Sequence, residues 1–295
     1  MDGYIVAQSI KSKIKESVHA LVDPEIKPNL ATILVGDDPA SQTYLRSKHS
    51  ACTDVGIESR NIELPANTPQ QELHRTIGQL NEDESITGIL LQLPLPKGLD
   101  DVLAICSIAP EKDVDGLHPN NLGLLLQKRA DLVPCTPKGV IVLLKYYGVR
   151  RSGRHAVIIN RSKLVGRPLA QLLLNEDATV TVCHSKTEDL RGISKQADIL
   201  ITGIGHRSEF TVRADMIKPG ATVVDIGTSM VGGKQMGDVD FDAAVGIAAY
   251  VSPVPGGVGP MTTAMLLYNT LLTACLQNNV SLGFTLDELK ATERS

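Results

Sequence analysis

Short apolar runs rich in Val and Ile alternate along this chain with segments of helical periodicity, and that alternation restricts the possible folds more than any other feature. Residues 30–35 (LATILV), 57–64 and 88–93 read as strands, and residues 5–22, 41–55, 69–81 and 99–108 as the helices around them. In the first helix Ile5, Val6, Ile10, Ile14, Val18, Leu21 and Val22 recur at helical spacing, with Pro24 and Pro28 ending it. A second series opens at His155, with strands over 155–159, 178–182, 198–202 and 221–226 and a helix over 166–175. This order predicts parallel βαβ units. The basic stretch 150–154 reads as a solvated connection between the series. The expected class is α/β in two lobes, the second resembling a dinucleotide-binding fold.

The totals narrow the function. A chain of 295 residues suits two domains. A formal charge of −4 offers no basic field for nucleic acid. The five cysteines are scattered without a CxxC or Cys/His spacing, which suggests reduced thiols in a cytoplasmic protein and no metal centre. No apolar run reaches membrane-spanning length, and the N-terminus lacks a basic leader, so no membrane partner is expected. The chain has no tryptophan and three phenylalanines, so Leu, Ile, Val and Ala must build the core.

Several short stretches carry candidate chemistry. Residues 253–262 (PVPGGVGPMT) combine locked and permissive backbone before an amphipathic helix that Thr262 or Thr263 can cap. The stretch reads either as a tight interdomain turn or as a ligand wall at a helix start. Cys135 opens another helix, through Tyr147, with Thr136 as a candidate N-cap. Strand 155–159 leads into residues 160–168 (NRSKLVGRP), where only Gly166 of the three fingerprint glycines is present. Arg161 and Ser185 suit the 2′-phosphate of NADP better than the ribose of NAD, unless Arg161 is only a surface charge. Tyr44 and Lys48 share a helix face at i, i+4, and Gln92 sits near the C-terminal end of its strand. Asp113 and Asp115 read as turn-forming residues of a charged loop. Residues 227–234 (GTSMVGGK) fail the P-loop spacing, and neither HExxH nor GxSxG occurs.

Taken together, the blocks 44–48 (YLRSK), 92–96 (QLPLP), 110–116 (PEKDVDG), 135–137 (CTP), 162–168 (SKLVGRP), 181–185 (TVCHS) and 253–262 resemble the bifunctional methylenetetrahydrofolate dehydrogenase/methenyltetrahydrofolate cyclohydrolase (FolD) family over nearly the whole chain. The resemblance implies oxidation of 5,10-methylenetetrahydrofolate with NADP and hydrolysis of the methenyl product to 10-formyltetrahydrofolate. It implies a homodimer whose subunits hold folate in a cleft between lobes. Residues 1–138, completed by a C-terminal helix over 263–295 that returns to the first lobe, would form the folate-binding catalytic domain. Residues 139–262 would form the Rossmann-like NADP-binding domain. Lys48 would be the central catalytic group, with Tyr44 near the pterin, Gln92 tuning the lysine and Asp115 gripping the pterin N–H groups. Pro255, Gly256 and Gly257 would line the substrate. Asn160, Arg161, Ser162, Ser185, Thr228 and Gly259 fall at the family's cofactor positions.

Two places depart from the family pattern: Asn160, where many members carry glycine, and Thr228-Ser229, in a segment (225–229, DIGTS) that often reads Gly-Ile-Asn. They motivate an alternative, a cyclohydrolase with a decayed cofactor lobe. A non-catalytic dinucleotide sensor is a further alternative.

Overall fold

The computed structural model describes residues 1–21 and 26–289, which form two compact units. Val22 and Pro24, expected at the end of the first helix, lie outside the described residues, as does the far end of the helix expected over 263–295. One unit comprises Ile10–Cys135 and Met265–Thr285; the other comprises Met1–Ser9, Thr136–Ala264 and the chain from Leu286.

The first unit receives the greater part of α1 (Gly3–Ala20), whose Ile10 and Ile14 are fully buried. Its sheet has β1 (Asn29–Val35) at the centre, because this strand is apolar on both faces and buries both. α2 (Pro39–Val55) follows. Asp38 accepts the Ser41 N–H at 2.8 Å to start it, and Gly56 in the left-handed region (φ 82°) stops it. β2 (Glu58–Leu64) is an edge strand with a largely polar sequence. α3 (Gln70–Glu82) packs Leu73, Ile77 and Leu80 inward, and β3 (Gly88–Leu91) completes the parallel order β2-β1-β3. α4 (Asp101–Cys106), capped by Asp100, and α5 (Pro119–Leu126) flank the charged loop.

The second unit runs through α6 (Cys135–Tyr146), β4 (His155–Ile159), α7 (Gly166–Asn175), β5 (Thr179–Cys183), α8 (Leu190–Ser194), β6 (Ile199–Thr202) and β7 (Thr222–Asp225). A hairpin of β8 (Ser229–Val231) and β9 (Lys234–Met236) follows, then α9 (Phe241–Val245), β10 (Tyr250–Val251) and the first residues of α10 (Val258–Gln277), which from Met265 on is counted with the first unit. The five-stranded sheet is parallel throughout, in the order β10-β7-β6-β4-β5. From β4 the chain passes to β5 on one side and then to β6 on the other. That reversal opens a crevice at the carboxyl ends of β4 and β6, the usual ligand position in such sheets.

Three expectations need correction. α10 begins at Val258, so Thr262 and Thr263 lie inside the helix and do not cap it. Pro260 fits the first turn, where a missing N–H costs nothing. Thr136 likewise lies within α6, and its hydroxyl meets that of Thr262 at 2.9 Å. The helix expected over 263–295 stops at Gln277, and a short 3-10 turn over Leu286–Glu288 follows. Of residues 227–234, those from Ser229 on belong to the hairpin, turned by Gly232 and Gly233 at φ 57° and 76°. Among the described residues, no helix is long and apolar enough to cross a membrane, and no cluster of His, Cys, Asp and Glu could hold a metal ion.

Candidate functional site

In the first unit, α2 carries Tyr44 and Lys48 one turn apart; the phenol is 52% exposed and the lysine half-buried. Lys48 Nζ donates to Gln92 Oε1 at 2.8 Å. Gln92 is the first residue beyond β3, and its backbone N–H still bonds Ile33 O at 2.8 Å. Its Nε2 donates to Leu93 O at 2.8 Å, so the amide oxygen is the end left for the lysine. Gln92 is neutral and adds no charge to offset the lysine's burial. Desolvation pushes the Lys48 amine below the usual lysine range, opposed by the charges of Asp115 and Cys135. Burial pushes the Asp115 carboxyl up to about 6, with Asp113 adding to the rise and Lys48 and the Cys135 thiol opposing it.

The loop that presents Asp115 is built from its neighbours. Lys112 is buried, and its Nζ donates to the carbonyls of Leu80, Asn81 and Asp83 at 3.1, 2.8 and 2.8 Å, at the C-terminal end of α3. Asp113 points inward and accepts the His118 N–H at 2.7 Å and Asn121 Nδ2 at 3.0 Å. It is therefore the turn-former, whereas Asp115 faces the lysine's field. Gly116 has φ 68°, and a Cβ there would collide with the backbone of Val133 and Pro134. Asn269 of α10 donates to Val114 O at 2.8 Å and Val133 O at 3.1 Å. Sequence reasoning missed Lys112, Asn121 and Asn269. A fully buried asparagine inside the apolar α10 was the one available signal.

In the second unit, Pro253–Gly257 is a closed turn in which the Gly257 N–H bonds Pro253 O at 2.8 Å. Gly256 (φ 106°) lies against the ring of Tyr4 and accepts the Gly3 N–H at 2.9 Å. Gly256 and Gly257 are therefore buried by the chain's own N-terminal segment, while Pro255 and Gly259 are exposed.

The crevice beyond β4 and β6 collects most of the remaining candidates. Asn160 Oδ1 accepts the Ser162 N–H at 2.7 Å, and its Nδ2 donates to Gly203 O, so one amide ties the loops after β4 and β6 together. A Cβ on Gly166 would overlap Asn160, which explains that glycine. Ser162 Oγ accepts the Val165 and Gly166 N–H groups at 3.2 and 3.4 Å at the start of α7. Arg161 is exposed. Ser185 is exposed in a turn closed by His184 N–H to Thr187 Oγ1 at 2.8 Å, and Thr228 is exposed beyond β7.

Residues 1–115 match the catalytic domain of tetrahydrofolate dehydrogenase/cyclohydrolase, and residues 134–278 match its NAD(P)-binding domain. The bifunctional protein FolD of Nitrosopumilus maritimus is 49% identical over 280 residues, which cover 95% of this chain and 98% of that protein. The crystal structure of FolD from Campylobacter jejuni aligns with a TM-score of 0.91 at 47% identity, covering 95% of this chain and 98% of that one. The FolD structure from Trypanosoma brucei, solved with NADP and an inhibitor, aligns with a TM-score of 0.89 at 41% identity and the same coverage.

Proposed function

The chain belongs to the tetrahydrofolate dehydrogenase/cyclohydrolase family, and from that premise we infer that it oxidises 5,10-methylenetetrahydrofolate with NADP and hydrolyses the methenyl product to 10-formyltetrahydrofolate. The observation that carries this reading is the half-buried Lys48 amine held by neutral Gln92 in the field of Asp115.

The unit of Ile10–Cys135 and Met265–Thr285 serves as the folate domain expected over 1–138 and 263–295, and the unit around Thr136–Ala264 as the nucleotide domain expected over 139–262. Asp115 accepts hydrogen bonds from the pterin amino and ring N–H groups, and Tyr44 offers its exposed ring beside the pterin. In the second unit Tyr4 holds the Pro253–Gly257 turn in place, with Pro255 its exposed residue. The first step needs no side-chain acid or base, so the chain's contribution there is to orient the methylene bridge. In the second step water adds to the methenyl carbon. The Lys48 amine, with its lowered pKa, takes up a proton from the attacking water and returns it during ring opening.

The second unit suits NADP. Arg161 and Ser185 are both exposed, and their guanidinium and hydroxyl would receive the 2′-phosphate. Asn160, Ser162, Thr228 and Gly259 would frame the rest. NADP supplies the hydride acceptor when bound. The bonds made by Asn160 count against a decayed cofactor lobe, because the side chain is part of the crevice's construction. We further propose a cytoplasmic homodimer.

Lys48→Met tests the assignment. Formyl-folate production should fall by about 100-fold or more, in line with loss of a general base, and the dehydrogenase should be strongly impaired. Production at the parent rate would overturn the lysine's role.

A further inference from the structure

Between β7 and α9 the second unit buries two carboxylates that no step above uses: Asp225, 3% exposed, and Asp238, fully buried. Among the described residues no lysine or arginine forms an ion pair with either, and each instead receives three N–H or O–H donors. Asp225 accepts from the N–H groups of Gly227 (2.9 Å), Asp238 (3.1 Å) and Val239 (2.8 Å). Asp238 accepts from Thr202 Oγ1 (2.9 Å), Ile204 N–H (2.6 Å) and Gly205 N–H (3.0 Å). Buried charge is tolerable only with such a complete donor set. The packing is reciprocal: a Cβ on Gly227 would overlap the Asp238 carboxylate, and a Cβ on Gly237 would overlap that of Asp225. The two acids and two glycines thus clamp the base of the β8–β9 hairpin.

The position of the clamp carries its meaning. Thr202 ends β6, and Ile204 and Gly205 form the loop beyond it, one wall of the crevice at the sheet's reversal. The opposite wall, after β4, reaches this loop through the bond from Asn160 to Gly203. Gly227 leads directly into the exposed Thr228. Asp238 therefore fixes the Ile204–Gly205 backbone by hydrogen bonds and packs against Gly227, whose N–H Asp225 holds, although it is itself sealed from solvent.

We propose that Asp238, braced by Asp225, is a positioning residue for the dinucleotide, holding the Gly203–Gly205 and Gly227–Thr228 segments in the conformation that receives its nicotinamide half. This rests on the reading that NADP occupies the crevice. It predicts damage to cofactor binding from a residue that never touches the cofactor.

The test is NADPH fluorescence titration of the full-length enzyme, with the NADP KM and methenyltetrahydrofolate hydrolysis measured on the same samples. Asp238→Asn keeps the shape but turns an N–H donor towards Ile204 or Gly205. The expected result is a roughly tenfold weaker NADPH affinity and a matching rise in NADP KM, with hydrolysis at Lys48 within about twofold of the parent. If that variant does not fold, Thr202→Val, which removes only the hydroxyl donor, should raise the NADP KM about threefold with hydrolysis unchanged. Unaltered NADPH affinity in a folded Asp238→Asn enzyme, or in Thr202→Val, would overturn the proposal, as would equal loss of both activities. Failure of the parent enzyme itself to bind NADPH would instead refute the reading of the crevice.

Discussion

Lys48 and Gln92 come from different elements, α2 and the end of β3, and meet in a single 2.8 Å hydrogen bond in which the ammonium donates to an amide oxygen. A carboxylate in that place would hold the lysine charged. The amide orients it without doing so, which leaves burial free to lower its pKa. The chemistry of the hydrolytic step follows from that choice of partner.

Gln92→Glu should therefore reverse the tuning. The new carboxylate raises the lysine's pKa, and a base is active only when unprotonated. The acid limb of the cyclohydrolase pH–rate profile should move to higher pH by about one unit. An unmoved limb would exclude Lys48 as the titrating group.

Arg161→Ala should raise the NADP KM by about tenfold while leaving that for NAD nearly unchanged, because NAD has no 2′-phosphate to lose. Equal losses with both cofactors would make the arginine a pyrophosphate contact.

Asn160→Gly supplies the first glycine of the dinucleotide fingerprint, yet it should weaken NADP binding by about threefold to tenfold. The substitution removes the links to Ser162 N–H and Gly203 O and frees the backbone. Tighter binding would mean that the asparagine side chain obstructs the pyrophosphate.

Lys112→Met should act on stability alone. It leaves three carbonyls near the end of α3 without their buried donor, at a cost of about 1–3 kcal/mol. Thermal unfolding should shift down by several degrees with both KM values unchanged. A large change in folate KM would show that the loop bearing Asp115 had moved with it.

Local chemistry made parts of this architecture legible. β1 is apolar on both faces, Asp38 and Gly56 punctuate α2, and the spacing of Tyr44 and Lys48 sets them on one turn. What escaped depends on distant partners. Asn160 looked like a defect in a glycine loop because Gly203, which receives its amide, is 43 residues away. Asp225 and Asp238 carry no local signal of their partnership, since only the fold brings them together. The start of α10 was hidden in a Gly-Pro run that resembles a turn, and the glycines there answer first to Gly3 and Tyr4. The charged loop showed its two aspartates but not their division of labour, which Asn121 and His118 decide by capturing Asp113.

The most direct measurement is the absorbance of the methenyl product formed from 5,10-methylenetetrahydrofolate, with NADP and NAD supplied in parallel and the decay to 10-formyltetrahydrofolate followed in the same cuvette. The expected result is turnover with a clear preference for NADP, followed by hydrolysis. No turnover with either cofactor, while added methenyltetrahydrofolate is still hydrolysed, would contradict the two-step assignment and leave a cyclohydrolase alone.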